Sequence, residues 1–164
     1  EVLLAVEKIA LEFQGVGTVG KLKVEPGGVN IIPGKATFSI DLRHVDKELR
    51  TEMVKQLKDY INEVSVKRGI SAVIEVKKEV DPASCSSDII EQLEKVCAEI
   101  DVPTMTLPCG AGHDALMMAN FTRMGMIFVR SQKGISHNPK EWTTLEDCAV
   151  GTQVLFHALL KLAQ

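Results

Sequence analysis

The chain has 164 residues, 45% of them apolar, with 19 Lys and Arg against 22 Asp and Glu for a net charge of -3. That length allows one ordinary core or two units of about 80 residues, each small for independent stability. Both signs of charge are interspersed and the few aromatics do not alternate with Lys or Arg, so the concentrated basic surface and the stacking platform of a nucleic-acid binder are missing.

Residues 1 to 12 carry Val2, Leu3, Val6, Ile9 and Ala10 at helical spacing. No cap, initiating Met, basic leader or cleavage site accompanies them, so they read as the second half of a helix already under way in a truncated chain, not as a signal peptide. After a turn at Gln14-Gly15, "VGTVGKLKVEPG" alternates weakly and ends at Pro26-Gly27-Gly28, a turn signature. "KATFSIDLR" alternates cleanly. Ala36, Phe38, Ile40 and Leu42 point one way, and Thr37, Ser39, Asp41 and Arg43 the other, which predicts a strand with one wet face.

From Asp46 to Lys67 the apolar positions Leu49, Met53, Leu57, Tyr60, Ile61 and Val64 predict a helix capped by Asp46, with its buried stripe starting at Leu49 and Gly69 as the stop. "SAVIEVKKEV" predicts another alternating strand. The order helix tail, strand, strand, helix, strand fits an antiparallel sheet with helices on one face, lacking its opening strand and most of its first helix.

Residues 81 to 86, "DPASCS", predict a connection. A helix follows over 87 to 100, with Ile89, Ile90, Leu93, Val96 and Cys97, and stops before Pro103. "VPTMTLP" reads as a short strand, "GHDALMMANF" as a helix and "GMIFVR" as an apolar strand, followed by a loop with Gly134, Pro139 and Trp142. The closing helix, Thr144 to Leu162, opens with Thr144 and Asp147 in capping-box spacing, Asp being a weaker partner than Glu. This half resembles the end of an open α/β sheet, where a loop at the carboxyl end of a strand is a natural site position. No apolar run approaches the roughly 20 residues of a spanning helix. Cys85, Cys97, Cys109 and Cys148 form no CxxC pair and read as reduced thiols in a reducing compartment.

Several polar residues could carry chemistry. Gly110, Ala111 and Gly112 precede a predicted helix and leave backbone amides to face an anion or a carbonyl oxygen. His113 and Asp114 fall in its first turn, where a surface group and a cap-region acid explain them equally. Cys109 lies near His113, but no separate base and orienting pair accompanies it. His137 lies in a Gly- and Pro-bounded loop, a placement that suits a metal ligand, although a lone loop histidine is commonly a surface polar. His44 suits a local hydrogen bond at a strand-to-helix junction, and His157 suits packing. Asn30 reads as a turn amide and Arg43 as half of a surface ion pair; together, a neutral donor and a planar fork would also suit a substrate carboxylate.

Three long segments in order, "VGTVGKLKVEPGGVNIIPGKATFSIDLR", "CGAGHDALMMA" and "GISHNPKEWTTLEDCAVGTQVL", closely resemble the hydantoinase/carbamoylase branch of the M20 metallopeptidase superfamily, over the whole chain. The resemblance implies an α/β protein in which residues 1–79 are the latter part of a ferredoxin-like α+β lid and dimerisation domain. Residues 80–164 would be the closing part of an open α/β catalytic domain. It implies a cytoplasmic homodimer with two divalent ions, zinc or manganese, acting on a small carboxylate-bearing ureido or carbamoyl substrate, with no nucleic-acid or membrane partner.

By the same resemblance His137 is a metal ligand, Asn30 and Arg43 bind the substrate carboxylate in a site of the partner subunit, and Gly110, Ala111, Gly112, His113 and Asp114 line the pocket. The family's other metal ligands, its paired glutamates and its lid histidine have no counterpart here. The parent is therefore expected to be the hydrolase, while the 164 residues alone are expected to be inactive and to hold no metal tightly. Cys109, Lys133 and Asn138 stand where many relatives have Ser, Gly and Ser, which leaves the substrate open. Alternatives are an allantoate amidohydrolase, an M20 aminoacylase or dipeptidase, and a non-catalytic dimerising module that binds a metabolite; the "GAGHDA" and "GISHNP" pair argues against the aminoacylase.

Overall fold

The computed structural model describes residues 1–163. It divides into two compact units, Glu1–Pro82 with Pro108–Gly112, and Ala83–Leu107 with the chain from His113 onward. It is a mixed α/β chain with a small antiparallel sheet and several helices. Among the described residues no helix is long and apolar enough to cross a membrane.

The first unit is built from helix α1 (Val2–Glu12), strands β1 (Val16–Glu25) and β2 (Lys35–Arg43), and helix α2 (Lys47–Arg68). β1 and β2 pair antiparallel from Val16↔Arg43 to Glu25↔Lys35, with a bulge between Val19 and Lys21. The alternation read from β2 holds from Phe38 onward: Phe38, Ile40 and Leu42 are half-buried while Ser39, Asp41 and Arg43 are exposed, whereas Ala36, expected on the inward face, is exposed at the start of the strand. Val6, Ile9 and Ala10 of α1 pack with Met53 and Leu57 of α2, and Val19, Ile40 and Leu42 of the hairpin close that core. The fit is tight at Gly17, where a Cβ would come within 2.9 Å of the Ala10 methyl.

Asp46 caps α2 as its sequence position predicts, taking the amide hydrogens of Glu48 at 2.8 Å and Leu49 at 3.0 Å. Gly69, at φ +64°, ends the helix in the left-handed region that glycine adopts without penalty. The buried stripe differs from expectation. Leu49 is exposed and Arg50 is buried at 7% exposure. Arg50 spends its fork on the segment that follows, donating to the Val80 carbonyl, to Asp81 at 2.9 Å and to Glu79 at 3.2 Å, which satisfies a cation that could not otherwise leave water.

The second unit centres on helices α3 (Ser87–Glu99) and α5 (Leu145–Leu162). Val96 and Cys97 pack against Val154 and Ala158, with Leu93, Ile100, Val102 and Ile127 around them. Burial raises the Cys97 thiol pKa. Thr144 caps α5 by accepting from the Asp147 amide at 3.1 Å. The shorter Asp side chain returns to the Thr144 hydroxyl at 2.9 Å instead of to the backbone amide that Glu reaches in a full capping box.

Three predicted strands, 71–80, 102–108 and 125–130, form no ladder. Alternation or an apolar run specifies a buried face, not a main-chain partner, and a strand needs both. Residues 125–130 show the difference: Gly125 abuts Ile89 of α3, Val129 meets Gly151 of α5 and Ile127 joins the core, yet no described segment pairs with its backbone. The helix expected over "GHDALMMANF" shrinks to α4 (Ala115–Met118), which has no side-chain cap and no buried residue. So short a helix lacks the packed face that offsets the cost of nucleation.

Candidate functional site

Arg43 ends β2 on the wet face of the hairpin, two residues from Asp41 on the same side. Its Nε donates to Asp41 Oδ1 at 3.0 Å and Oδ2 at 3.1 Å, and its Nη2 donates to Oδ2 at 2.6 Å. Its Nη1 donates to the Gly110 carbonyl at 2.8 Å. The guanidinium is thus gripped along one edge by a carboxylate and on Nη1 by a main-chain oxygen, while both side chains stay half-exposed. The hydrogen bond from Arg43, with its charge behind it, lowers the Asp41 pKa below the ordinary aspartate value, and Asp41 in turn raises that of Arg43.

Gly110, Ala111 and Gly112 are irregular backbone in the first unit, with Cys109 Sγ donating to the Ala111 carbonyl at 3.7 Å. The expectation that their amides open a helix N-terminus is corrected: the following helix is only the four-residue α4, too short to focus a dipole. His113 and Asp114 are exposed, their carbonyls taking the amides of Leu116 and Met117 in the turn that starts α4.

Asn30 is exposed in the connection 26–34, which closes through the Gly34 amide on the Glu25 carbonyl at 3.0 Å. Arg43 is at the opposite end of the hairpin. At about 3.3 Å per residue, the length of β2 puts roughly 26 Å of strand between that loop and Arg43. Within this hairpin the two side chains do not converge on one carboxylate.

His137 belongs to the second unit, in a loop closed at its base by the Gln132 amide on the Trp142 carbonyl at 2.7 Å. Its backbone is left-handed at φ +56°, uncommon for a side-chain-bearing residue. The Glu141 carboxylate holds that conformation by accepting the His137 amide at 2.9 Å, and the Asn138 side chain accepts the Lys140 amide at 2.9 Å. The imidazole is exposed, with Nδ1 3.3 Å from the Ser136 hydroxyl. No group of three or more His, Cys, Asp or Glu among the described residues could hold a metal ion, so His137 is not accompanied by the ligands that a zinc or manganese site needs.

The sequence reading missed Asp41 and the double engagement of His44. Asp41 was legible only as a wet-face residue, although its two-residue spacing from Arg43 on one strand face was a usable signal. His44 Nδ1 accepts the Asp46 amide at 2.9 Å, and Nε2 lies 3.0 Å from the Phe13 carbonyl. Nδ1 also lies 3.1 Å from the Asp46 carbonyl, so both ring nitrogens are engaged by backbone. The shallow hollow beside it, lined by Phe13, Gln14, His44 and Leu49 among others, therefore offers a histidine already committed to structure.

Residues 5–161 match the family described as Peptidase family M20/M25/M40. The N-carbamoyl-L-amino acid amidohydrolase of Geobacillus stearothermophilus is 42% identical over 149 residues, covering 91% of this chain and 36% of the relative. The ureidoglycolate hydrolase of Arabidopsis thaliana is 35% identical, covering 99% of this chain and 35% of the relative. Among solved structures, an amidase of the hydantoinase/carbamoylase family from Burkholderia multivorans superposes with a TM-score of 0.91 at 31% identity, over 98% of this chain and 39% of that one. The chain spans well under half the length of the relatives it matches.

Proposed function

The chain belongs to peptidase family M20/M25/M40, in its hydantoinase/carbamoylase branch, and from that premise we propose that the full-length protein is a divalent-metal-dependent amidohydrolase. It cleaves the C–N bond of N-carbamoyl-L-amino acids or related ureido acids. Residues 1–79 serve as the latter part of a ferredoxin-like lid and dimerisation domain, and residues 80–164 as the closing part of an open α/β catalytic domain in a cytoplasmic homodimer.

The observation that carries this reading is the guanidinium of Arg43, held flat at the end of β2 with one edge gripped and the side chain still reaching water. A planar fork fixed in place is what recognises a carboxylate, and the substrates in the names of both relatives combine a carbamoyl or ureido group with a carboxylate. Asn30, at the far end of the hairpin, would serve the substrate of the partner subunit. Gly110 to Asp114 would form pocket wall.

Two zinc or manganese ions would supply water activation in the full-length protein. His137 would contribute one ligand, and the remaining ligands and the general base would come from other parts of that protein. The greater identity to the carbamoyl-amino-acid enzyme than to the ureidoglycolate enzyme puts carbamoyl amino acids first.

The test is methionine release by the full-length protein from N-carbamoyl-L-methionine, with N-acetyl-L-methionine as the competing amide, before and after chelation and metal return. Cleavage of the carbamoyl compound that disappears on chelation and recovers with zinc or manganese is expected. Preference for the acetyl compound, or activity indifferent to chelation, would overturn the reading.

A further inference from the structure

A guanidinium carries five N–H donors in one plane. In Arg43 the Nε and one Nη2 hydrogen are committed to Asp41 and one Nη1 hydrogen to the Gly110 carbonyl. One hydrogen on Nη1 and one on Nη2 are left over. Asp41 and Arg43 stand opposite Thr18 and Val16 on the paired strand, so the regular backbone of the hairpin, and not a loop, sets the distance between carboxylate and fork.

We propose that Asp41 is the positioning residue of substrate recognition: by gripping the Nε edge of Arg43 it fixes the plane of the guanidinium, with the Gly110 carbonyl on Nη1, and leaves the remaining Nη hydrogens to engage the substrate carboxylate end-on. The inference rests on the reading of Arg43 as the carboxylate-binding residue and adds how its selectivity is set. An unheld arginine on an exposed strand end samples many rotamers and must be ordered by each substrate that binds; one gripped along an edge is ordered beforehand.

A competing effect makes the proposal decidable. Asp41 also cancels part of the charge of Arg43, so if simple charge attraction governed binding, removal of Asp41 would tighten the grip on an anionic substrate. Pre-ordering and charge cancellation therefore predict opposite signs for the same substitution. Both groups are half-exposed, where water and salt screen the charge term, so pre-ordering prevails.

The experiment compares wild type, Asp41→Asn and Arg43→Ala in the full-length protein, with N-carbamoyl-L-methionine and its carboxamide as substrates. Asp41→Asn is expected to raise KM for the carboxylate about tenfold with less than a twofold change in kcat, and to leave KM for the carboxamide within twofold. An unchanged or lowered KM for the carboxylate would overturn the proposal. If Arg43→Ala itself leaves that KM unchanged, the reading of Arg43 fails, whereas an effect of Arg43→Ala without one of Asp41→Asn removes only the positioning role. A second readout needs no turnover: the Arg43 Nε–H signal in nitrogen-resolved NMR should exchange slowly in wild type and at least tenfold faster in Asp41→Asn. Equal exchange in the two would contradict the grip directly.

Discussion

The two compact units present their chemistry in different ways. In the first, the residue of interest is on a paired strand: Arg43 ends β2, its partner Asp41 is on the same face, and the hairpin register spaces them. In the second, the residue of interest is in a loop: His137 holds a left-handed backbone secured by Glu141, and no paired strand lies among the described residues of that unit. Regular structure positions a group through many weak constraints shared with the core, whereas a closed loop does so through a few specific hydrogen bonds. The first unit should therefore be damaged mainly through packing, and the second through individual polar contacts.

The largest expected effect tests the packing side. Met53 is fully buried between α1, α2 and the hairpin, so Met53→Ala should cost about 2–5 kcal/mol. Val96 is as buried in the second unit but smaller, and Val96→Ala should cost about 2 kcal/mol. Urea unfolding with hydrogen exchange assigned to each unit reads both. A greater loss for Val96→Ala would reverse the ranking of the two cores.

Arg50→Ala comes next, at about 1–3 kcal/mol, because the Val80 carbonyl loses its charged donor and the buried stem leaves a gap. Arg50→Met should recover the packing part of that loss but not the protection of amides near residues 79–81. Full recovery of both would mean that the stem alone matters and that the ionic contacts to Glu79 and Asp81 are incidental.

These contacts show what could be read from the residues beforehand. The clean alternation of β2, the Asp46 and Thr144 caps and the Gly69 stop were all legible, because each is a local rule with a local cause. Arg50 was not, since a charged residue is ordinarily assigned to water. Yet it stands three residues before Met53 and seven before Leu57, on the stripe itself. The three expected strands failed for a complementary reason: their side chains specify a face, but the backbone partner that makes a strand lies elsewhere in sequence. Arg43 was legible as an exposed residue on a wet face, while its separation from Asn30 follows from a register that no local pattern encodes. For His137 the loop was legible and its left-handed backbone was not, because that conformation depends on a side chain four residues on.

The caps give a smaller and more even comparison. Asp46→Ala and Thr144→Ala should each cost about 1 kcal/mol. Asp46 should be the more costly because it takes two amides and Thr144 one. Thermal unfolding of the two variants measures this, and a larger loss for Thr144→Ala would show that its hydrogen bond to Asp147 contributes more than a second capped amide.

The smallest effect is the pH dependence of the Asp41 pair. Its carboxyl titrates below the ordinary aspartate value of 3.8 because of Arg43. The pairing therefore contributes fully above that value, and the contribution is lost as pH falls through the lower folded value. For so exposed a pair the loss should be about a few tenths of a kcal/mol. The stability of Asp41→Asn should therefore change correspondingly less between pH 5 and pH 2; a wild-type advantage that grew toward low pH would have the wrong sign for this pairing.

The division of labour between the units is tested most directly by metal content. The full-length protein, its Arg43→Ala variant and its His137→Ala variant should be dialysed in parallel against trace zinc and analysed by mass spectrometry of the bound metal. The account predicts two ions per subunit in the wild type and in Arg43→Ala, and close to one in His137→Ala. Two ions retained in His137→Ala, or an ion lost in Arg43→Ala, would contradict it.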